Sequence, residues 1–318
     1  MLVRNAIYFE EKYRSKAISD ADRPQLGGVG SAVSKRKNVG EGRQLSILIK
    51  RYFKLIFSDT ASVILMFGQA PIMLFILANV LTHETFDFHD KSKQFLFVVS
   101  SIATIMGVLN SFIEICKERD IFKREYAVNL SLKAYILSKF VVLGIICFVQ
   151  ALILCVGINC IADLPAPDLL TFTFLDFCVS TYLILMASTA MGLLISTISP
   201  TTERATLYMP IIIIPQIVFS GLMFELEGLK NVISWFIVNR WGISAYGSLF
   251  GIARFEQMSI FSDIDEATLE ALDITIPGLD MFDFSEGYFI GCLAALALIV
   301  GVCLVSMYVI IRRQNKNR

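Results

Sequence analysis

Six stretches of the chain contain no charged residue and are long enough to cross a membrane as a helix. A bilayer core about 30 Å thick needs about 20 mainly apolar residues in a helix, and a charge near the centre of such a helix is costly. The charge-free stretches are Thr60–Thr82, Phe95–Ile113, Phe140–Ala162, Phe177–Thr202, Ala205–Phe224 and Gly287–Ile311. They predict an all-α, polytopic membrane protein with six transmembrane helices at about residues 60–82, 95–115, 138–162, 170–199, 204–224 and 287–311.

A seventh apolar stretch, Asn231–Ala253, carries Arg240 in its middle, and neither half is long enough to span a bilayer. Such a segment can lie at membrane depth when protein or water covers its backbone. Trp235 and Trp241 are typical of a membrane–water interface. We therefore interpret the stretch as a re-entrant or interfacial pair of helices on the outer side.

The distribution of basic residues supports six spans and predicts their orientation. With six spans both termini lie on one side of the membrane, and that side holds 23 of the 28 Lys and Arg residues. Because cytoplasmic segments are enriched in Lys and Arg, we expect both termini to be cytoplasmic. A seventh span would place Arg312, Arg313, Lys316 and Arg318 outside and the acidic segment 256–286 inside.

The composition excludes several broad classes of protein. Hydrophobic residues make up 55% and charged residues only 18%, whereas ordinary soluble domains carry about 25% charged residues. A disordered chain would have low hydrophobicity and high net charge, and nucleic-acid binding usually needs an excess of basic residues. Here 28 Lys and Arg balance 28 Asp and Glu, so no nucleic-acid partner is expected.

No pattern in the sequence indicates a catalytic or metal site. The seven cysteines lie in or beside apolar stretches and form no CxxC pair, so neither a disulfide framework nor a zinc site is predicted. The glycine-rich segment Gly27–Lys35 lacks the spacing of a phosphate-binding loop. We therefore expect no catalytic residue, no metal site, no cofactor bound by this chain and no ATP hydrolysis by this chain alone.

Two regions divide the chain. Residues 1–44 are polar and mostly basic, and we interpret them as a cytoplasmic linker. Residues 45–318 contain all six predicted spans and form the predicted transmembrane domain.

A charged segment with helical spacing lies between the second and third spans. Glu114, Glu118 and Glu125 fall near one face of a helix, and Phe122 and Tyr126 form an i, i+4 pair. An aromatic stripe between charges suits docking into a groove on a partner protein. The alternative is a helix that packs back on its own bundle.

This segment resembles the coupling helix of the membrane domain of type-2 ABC exporters, especially the G subfamily and its bacterial relatives. The residues that match are Glu114, Glu118, Arg119, Phe122, Arg124, Glu125, Tyr135, Ser138 and Lys139. A second resemblance follows in the same order as in that family: Pro210 and Pro215 in the fifth span, then Phe219–Phe224 and Arg240–Tyr246. The last outer loop lacks cysteine, which favours a bacterial member.

The resemblance implies a permease that works as a homodimer or heterodimer in the bacterial inner membrane. An ABC nucleotide-binding domain, separate or fused, would bind ATP and magnesium and drive a lipid or amphipathic compound outward. Glycan export is the alternative substrate class. The residues implied in coupling to the ATPase domain are Glu114, Glu118, Arg119, Phe122, Arg124, Glu125 and Tyr126.

Polar residues inside the spans are candidates for a substrate path. The polar candidates are Asn110, Ser111, Thr181, Gln216 and Ser220. Phe219, Leu222 and Met223 are candidates for an apolar plug in the same path. Hydrogen bonding between helices is the alternative role for the polar ones. Two further functions stay open: a membrane scaffold without transport, and a secondary transporter, which would need an intramembrane ionisable pair where the sequence offers only Asp176.

Overall fold

The computed structural model describes residues 40–79, 89–128, 130–162, 164, 173–222, 228–251 and 284–316. All regular structure in these ranges is helical, which confirms the all-α prediction. The helices are α1 (Glu41–Ser58), α2 (Thr60–Ala78), α3 (His89–Leu109), α4 (Arg119–Ala127), α5 (Leu132–Ile161), α6 (Thr173–Ile198), α7 (Thr202–Val218), α8 (Leu229–Ser234), α9 (Val238–Leu249) and α10 (Glu286–Lys316). A short 3₁₀ helix, Cys116–Glu118, precedes α4.

Five of these helices are long and apolar enough to cross a membrane, namely α2, α3, α5, α6 and α10. Together they make the protein a polytopic, all-α membrane protein. The fifth predicted span corresponds to α7, which has 17 residues and contains Pro210 and Pro215. At 1.5 Å per residue α7 is about 26 Å long, slightly less than a bilayer core of about 30 Å. The count of six spans therefore stays a prediction.

Two predicted spans end earlier in the structure than the charge-free stretches suggest. The second was expected to reach about residue 115, but α3 ends at Leu109 and turns follow to Ile115. The hydroxyl of Ser196 on α6 accepts hydrogen bonds from the backbone N–H groups of Ile115 (2.8 Å) and Cys116 (3.0 Å). These N–H groups therefore bind a neighbouring helix. The fifth was expected to reach residue 224, whereas α7 ends at Val218 and a turn follows.

Helix α1 is amphipathic and lies against α5. Its buried residues, Leu48, Tyr52 and Ile56, follow each other at intervals of four and therefore share one face. Asp59 separates α1 from α2 and caps α2, because its carboxylate accepts hydrogen bonds from the hydroxyl (2.6 Å) and the backbone N–H (3.4 Å) of Ser62.

Small residues allow close packing of α3 on α6. A Cβ atom added at Gly107 would lie 2.5 Å from the carbonyl oxygen of Leu185, and one added at Gly192 would lie 2.8 Å from the carbonyl oxygen of Val108. Close backbone contact through small residues is a common way for membrane helices to associate.

The predicted pair of short helices is present as α8 and α9. Arg240 on α9 donates hydrogen bonds to Ser234 and to the carbonyl oxygen of Asn231. The Trp241 indole donates to the carbonyl oxygen of Trp235 (3.0 Å), and the two rings pack edge to face. These contacts close the turn between the helices, while their depth in the membrane stays a prediction.

Several sequence predictions concern parts of the chain that lie outside the described residues. They are the linker up to residue 39, the plug residue Met223, and most of the acidic outer segment, residues 223–227 and 252–283.

Candidate functional site

A cluster of charged side chains is buried at the end of the bundle where α1 and α4 lie. Lys139 on α5 places its Nζ 2.7 Å from Glu118 Oε2 and 4.0 Å from Glu114 Oε2. The same Nζ donates a hydrogen bond to the backbone carbonyl of Glu114 (3.3 Å). Lys139 and Glu114 are each 1% exposed and Glu118 is 7% exposed. We call these three residues the buried charge cluster.

Aromatic side chains enclose the cluster. Tyr52 on α1 donates its hydroxyl hydrogen to Glu114 Oε2. The ring of Tyr52 lies 3.6 Å from the ammonium group of Lys139, which is a cation–π contact. Burial, and secondarily the carboxylate of Glu114, raise the pKa of Tyr52 well above its usual range. Tyr52 therefore stays protonated and donates to Glu114.

The negative charges of Glu114 and Glu118 are balanced by the positive charges of two lysines. Lys117 pairs with Glu114 through Oε1, so two lysines face two glutamates. Glu118 depends on Lys139 alone, because Glu118 Oε1 has no hydrogen-bond partner among the described residues. Removing one partner of a buried ion pair leaves an uncompensated charge and is strongly destabilising. Lys139 is therefore the cation on which the burial of Glu118 depends.

Arg119 joins the start of α4 to the ends of two transmembrane helices. Its guanidinium donates to the carbonyl oxygens of Ser199 (2.7 Å) and Thr197 (3.5 Å) at the end of α6. It also donates to Oε1 of Gln314 on α10 (2.5 Å). The terminal carbonyl groups of a helix carry partial negative charge and attract such a cation.

One face of α4 packs on the bundle. The ring of Phe122 lies 4.5 Å from the ring of Tyr135 on α5 and 5.7 Å from that of Tyr126. Glu125, three residues after Phe122, forms an ion pair with Arg51 on α1. The alternative of a helix packed on its own bundle thus describes the Phe122 side of α4.

The opposite face of α4 is exposed. Asp120 and Arg124 are exposed, and the apolar side chains of Ile121 and Val128 are 48% and 71% exposed. Of the residues that the resemblance implied in coupling, Glu114, Glu118 and Phe122 are buried, Arg119, Glu125 and Tyr126 are half-buried, and Arg124 is exposed. Only the exposed face is free to meet another protein.

Three residues of this region were not among the candidate site residues: Tyr52, Lys139 and Ser196. Lys139 is one of the residues that match the family pattern and stands directly before a charge-free stretch, and Tyr52 shares the four-residue period of Leu48 and Ile56. Either signal marks a helix face but not a buried contact with Glu114. Nothing in the sequence around Ser196 indicates its contact with the backbone of Ile115.

Asn110 lies in a buried polar network between helices. Its amide donates to Gln150 Oε1 on α5 (2.7 Å) and its oxygen accepts from Gln69 on α2. Gln150 in turn donates to the carbonyl oxygen of Met66 (2.6 Å). These bonds link α2, the end of α3 and α5.

The other polar candidates for the substrate path have similar contacts or lie at the end of α7. Ser111 donates to the carbonyl oxygen of Thr189 (2.9 Å), the hydroxyl groups of Thr181 and Tyr246 lie 2.8 Å apart, and Gln216 accepts from the backbone of Asn239 (3.2 Å). Ser220 is buried, Phe219 and Leu222 are half-buried, and Met223 lies outside the described residues. The contacts are those expected for hydrogen bonding between helices, and the path role stays a prediction.

An apolar cavity of about 670 Å³ opens between α6, α7 and α10. Cavities that bind small molecules measure about 300–1,000 Å³. Representative lining residues are Met191, Ile195, Tyr208, Ile212, Leu298 and Cys303. Such a wall suits an apolar chain, and the described lining residues offer no charged partner.

Comparison with known proteins gives two matches. Residues 43–251 match the family described as ABC-2 type transporter. The chain is also 29% identical over 220 residues to the ABC transporter ATP-binding/permease protein Rv1747 of Mycobacterium tuberculosis, which covers 64% of this chain and 25% of that protein. The chain thus matches about a quarter of the length of that relative. The family match includes all three residues of the buried charge cluster and helices α2 to α9.

Proposed function

Because the chain belongs to the ABC-2 type transporter family, we propose that it is the membrane-spanning subunit of an ATP-driven exporter, coupled through α4 to an ABC nucleotide-binding domain. The nucleotide-binding domain would bind ATP and magnesium, either as a separate protein or as part of a longer polypeptide. The relative Rv1747 carries both functions in its name.

The buried charge cluster is the observation that supports this proposal. It fixes the segment before α4 to α1 and α5, and Arg119 fixes the start of α4 to α6 and α10. A force on α4 therefore reaches four helices through ion pairs and hydrogen bonds. Coupling between two sites needs an element whose position both sites influence, and these contacts support α4 as that element.

The exposed face of α4 supplies the surface for the nucleotide-binding domain. Ile121 and Val128 offer apolar contacts, and Arg124 offers a charge. The excess of Lys and Arg at this end supports its cytoplasmic orientation. ATP binding would move the nucleotide-binding domains, and α4 would transmit that motion to the bundle.

The apolar cavity between α6, α7 and α10 supports a lipid or an amphipathic compound as the substrate. An apolar wall suits a lipid tail or an amphipathic compound better than a glycan, which needs hydrogen-bonding groups. We propose outward movement of such a compound by a dimer of two permease halves. Asn110, Ser111, Thr181 and Gln216 are the polar candidates for the path between them, and Phe219 and Leu222 for the plug.

The experiment is purification of the chain with its membrane partners, followed by reconstitution and an ATPase assay. We expect a co-purifying, vanadate-sensitive ATPase. Arg124→Ala, on the exposed face of α4, should reduce both its association and its activity. Lys50→Ala, an exposed cation on α1, is the matched control and should change neither. Transport of an amphipathic compound by the reconstituted chain without any associated ATPase would favour a secondary transporter. No transport at all would favour a scaffold.

A further inference from the structure

A polar cavity of about 400 Å³ lies where α1 begins, where α4 leads into α5, and where α10 ends. Lys133 on α5 and Arg312 on α10 both line it. The other polar lining residues are Glu41, Tyr126, Ser131 and Tyr308. The coupling mechanism proposed above does not use Lys133 or Arg312.

The cavity has an excess of positive charge. Neither Lys133 nor Arg312 has an ion-pair or hydrogen-bond partner among the described side chains. Glu41, the one acidic residue among the described residues that line the cavity, accepts a hydrogen bond from the hydroxyl of Ser131 (3.3 Å). Two cations against one carboxylate leave the site suited to an anion.

The backbone adds to this preference. Both α1 and α5 begin at the cavity, and neither Gly40 nor Ser131 caps its helix through a side chain. N–H groups of a first helical turn without a side-chain cap can bind an anion in general. The two cations and the two helix starts therefore both favour the binding of an anion.

An apolar stripe on α10 leads to the cavity. Val305 and Val309 are 64% and 38% exposed, and with Arg312 they lie at i, i+4 and i+7 on one helix face. Tyr308 lies beside this stripe and lines the cavity, and tyrosine is enriched at the level of lipid headgroups. A ligand with an anionic head and apolar chains fits both parts, whereas a soluble anion would use only the cavity.

We propose that this cavity binds the phosphate group of an anionic phospholipid, whose acyl chains lie along the α10 stripe. Arg312 and Lys133 would pair with phosphate oxygens, and the hydroxyl groups of Tyr126 and Tyr308 would donate hydrogen bonds. Basic pockets between transmembrane helices bind such headgroups in general. The site belongs to this chain and does not depend on ATP-driven transport, so its test and that of the proposed function fail separately.

Native mass spectrometry of the purified chain tests the proposal by counting retained lipid after incubation with phosphatidylglycerol or phosphatidylcholine. We expect retention of phosphatidylglycerol only. Each basic residue near a membrane surface contributes about a fivefold factor in affinity, so the double variant K133Q/R312Q should bind about 25-fold more weakly. The control K50Q/R313Q removes two exposed cations outside the cavity and should bind like the unaltered chain.

The proposal is overturned by equal retention of phosphatidylcholine, by equal losses in the two double variants, or by unchanged binding of K133Q/R312Q. Glycerol 3-phosphate and inorganic phosphate are added as competitors, and displacement of the lipid by either would identify a site for a soluble anion. If K133Q/R312Q loses its helical circular dichroism, the single variants replace it, each with an expected fivefold loss. Arg312→Lys keeps the charge and should keep the lipid.

Discussion

Replacing Lys139 by methionine should destabilise the fold more than any other removal of a lysine on the described helices. Met has a similar length but no charge. In the structure Glu118 Oε2 lies 2.7 Å from Lys139 Nζ, and Glu118 Oε1 has no described partner. Glu114 by contrast keeps Lys117 and Tyr52. The variant therefore leaves one buried carboxylate unpaired.

The size of the effect follows from that single unpaired charge. Breaking a buried ion pair by removing one partner costs about 3–5 kcal/mol in the free energy of unfolding. The lost cation–π contact with Tyr52 contributes about 0.5–2 kcal/mol of the same effect. Changing Glu118 to glutamine in addition removes the buried charge, so E118Q/K139M should lose only about 1–3 kcal/mol.

Unfolding of the detergent-purified chain measures these differences, together with limited proteolysis of residues 119–128. K139M should unfold earlier and be cleaved faster at α4, and E118Q/K139M should recover about 2 kcal/mol of the loss. Lys50→Met, which removes an exposed charge on α1, should stay within about 0.5 kcal/mol. The reasoning is refuted if K139M behaves like this control, or if E118Q gives no recovery.

Two further predictions concern the packing of α3 and the start of α2. Gly107→Ala should lower the free energy of unfolding by about 1–3 kcal/mol, because its Cβ would lie 2.5 Å from the carbonyl oxygen of Leu185. The control Gly68→Ala has open space around the new Cβ and should not lower it. Equal melting temperatures of the two variants would contradict this reasoning. Hydrogen bonds from Ser62 lower the pKa of Asp59, so the cap is fully present above the pKa of the unfolded chain, about 3.9, and is lost as the pH falls through the lower folded pKa. Between pH 5 and pH 2 the melting temperature of Asp59→Asn should lack the fall that comes from losing the Asp59 cap. Identical melting temperatures of the variant and the unaltered protein across this range would exclude a contribution of the cap.

The charge-free stretches predicted the transmembrane helices because a charge in the bilayer core is costly, and the local sequence alone shows whether a stretch contains one. The ends of these helices depend on partners far away in the chain. Helix α3 ends at Leu109 in a region where Ser196, some eighty residues later, binds the backbone N–H groups of Ile115 and Cys116. No local signal in residues 109–116 announces that contact.

The candidate site was predicted in part for the same reason. The helical spacing of Glu114 and Glu118 placed them on one face, but spacing cannot say whether that face meets a partner protein or the protein's own core. The contact with Lys139 shows that the face meets the protein's own core, because Lys139 lies buried beside both glutamates. The exposed side of α4, with Ile121 and Arg124, is what remains of the predicted docking surface.

The charge balance around Glu114 and Glu118 has an electrical consequence. Two carboxylates and the ammonium groups of Lys117 and Lys139 sum to zero. Moving one elementary charge through the membrane potential involves about 2.3 kcal/mol per 100 mV, but displacing a neutral group as one body involves no such work. A motion that carries Glu114, Lys117, Glu118 and Lys139 along together therefore adds no voltage-dependent work of its own, in a polarised or a depolarised cell.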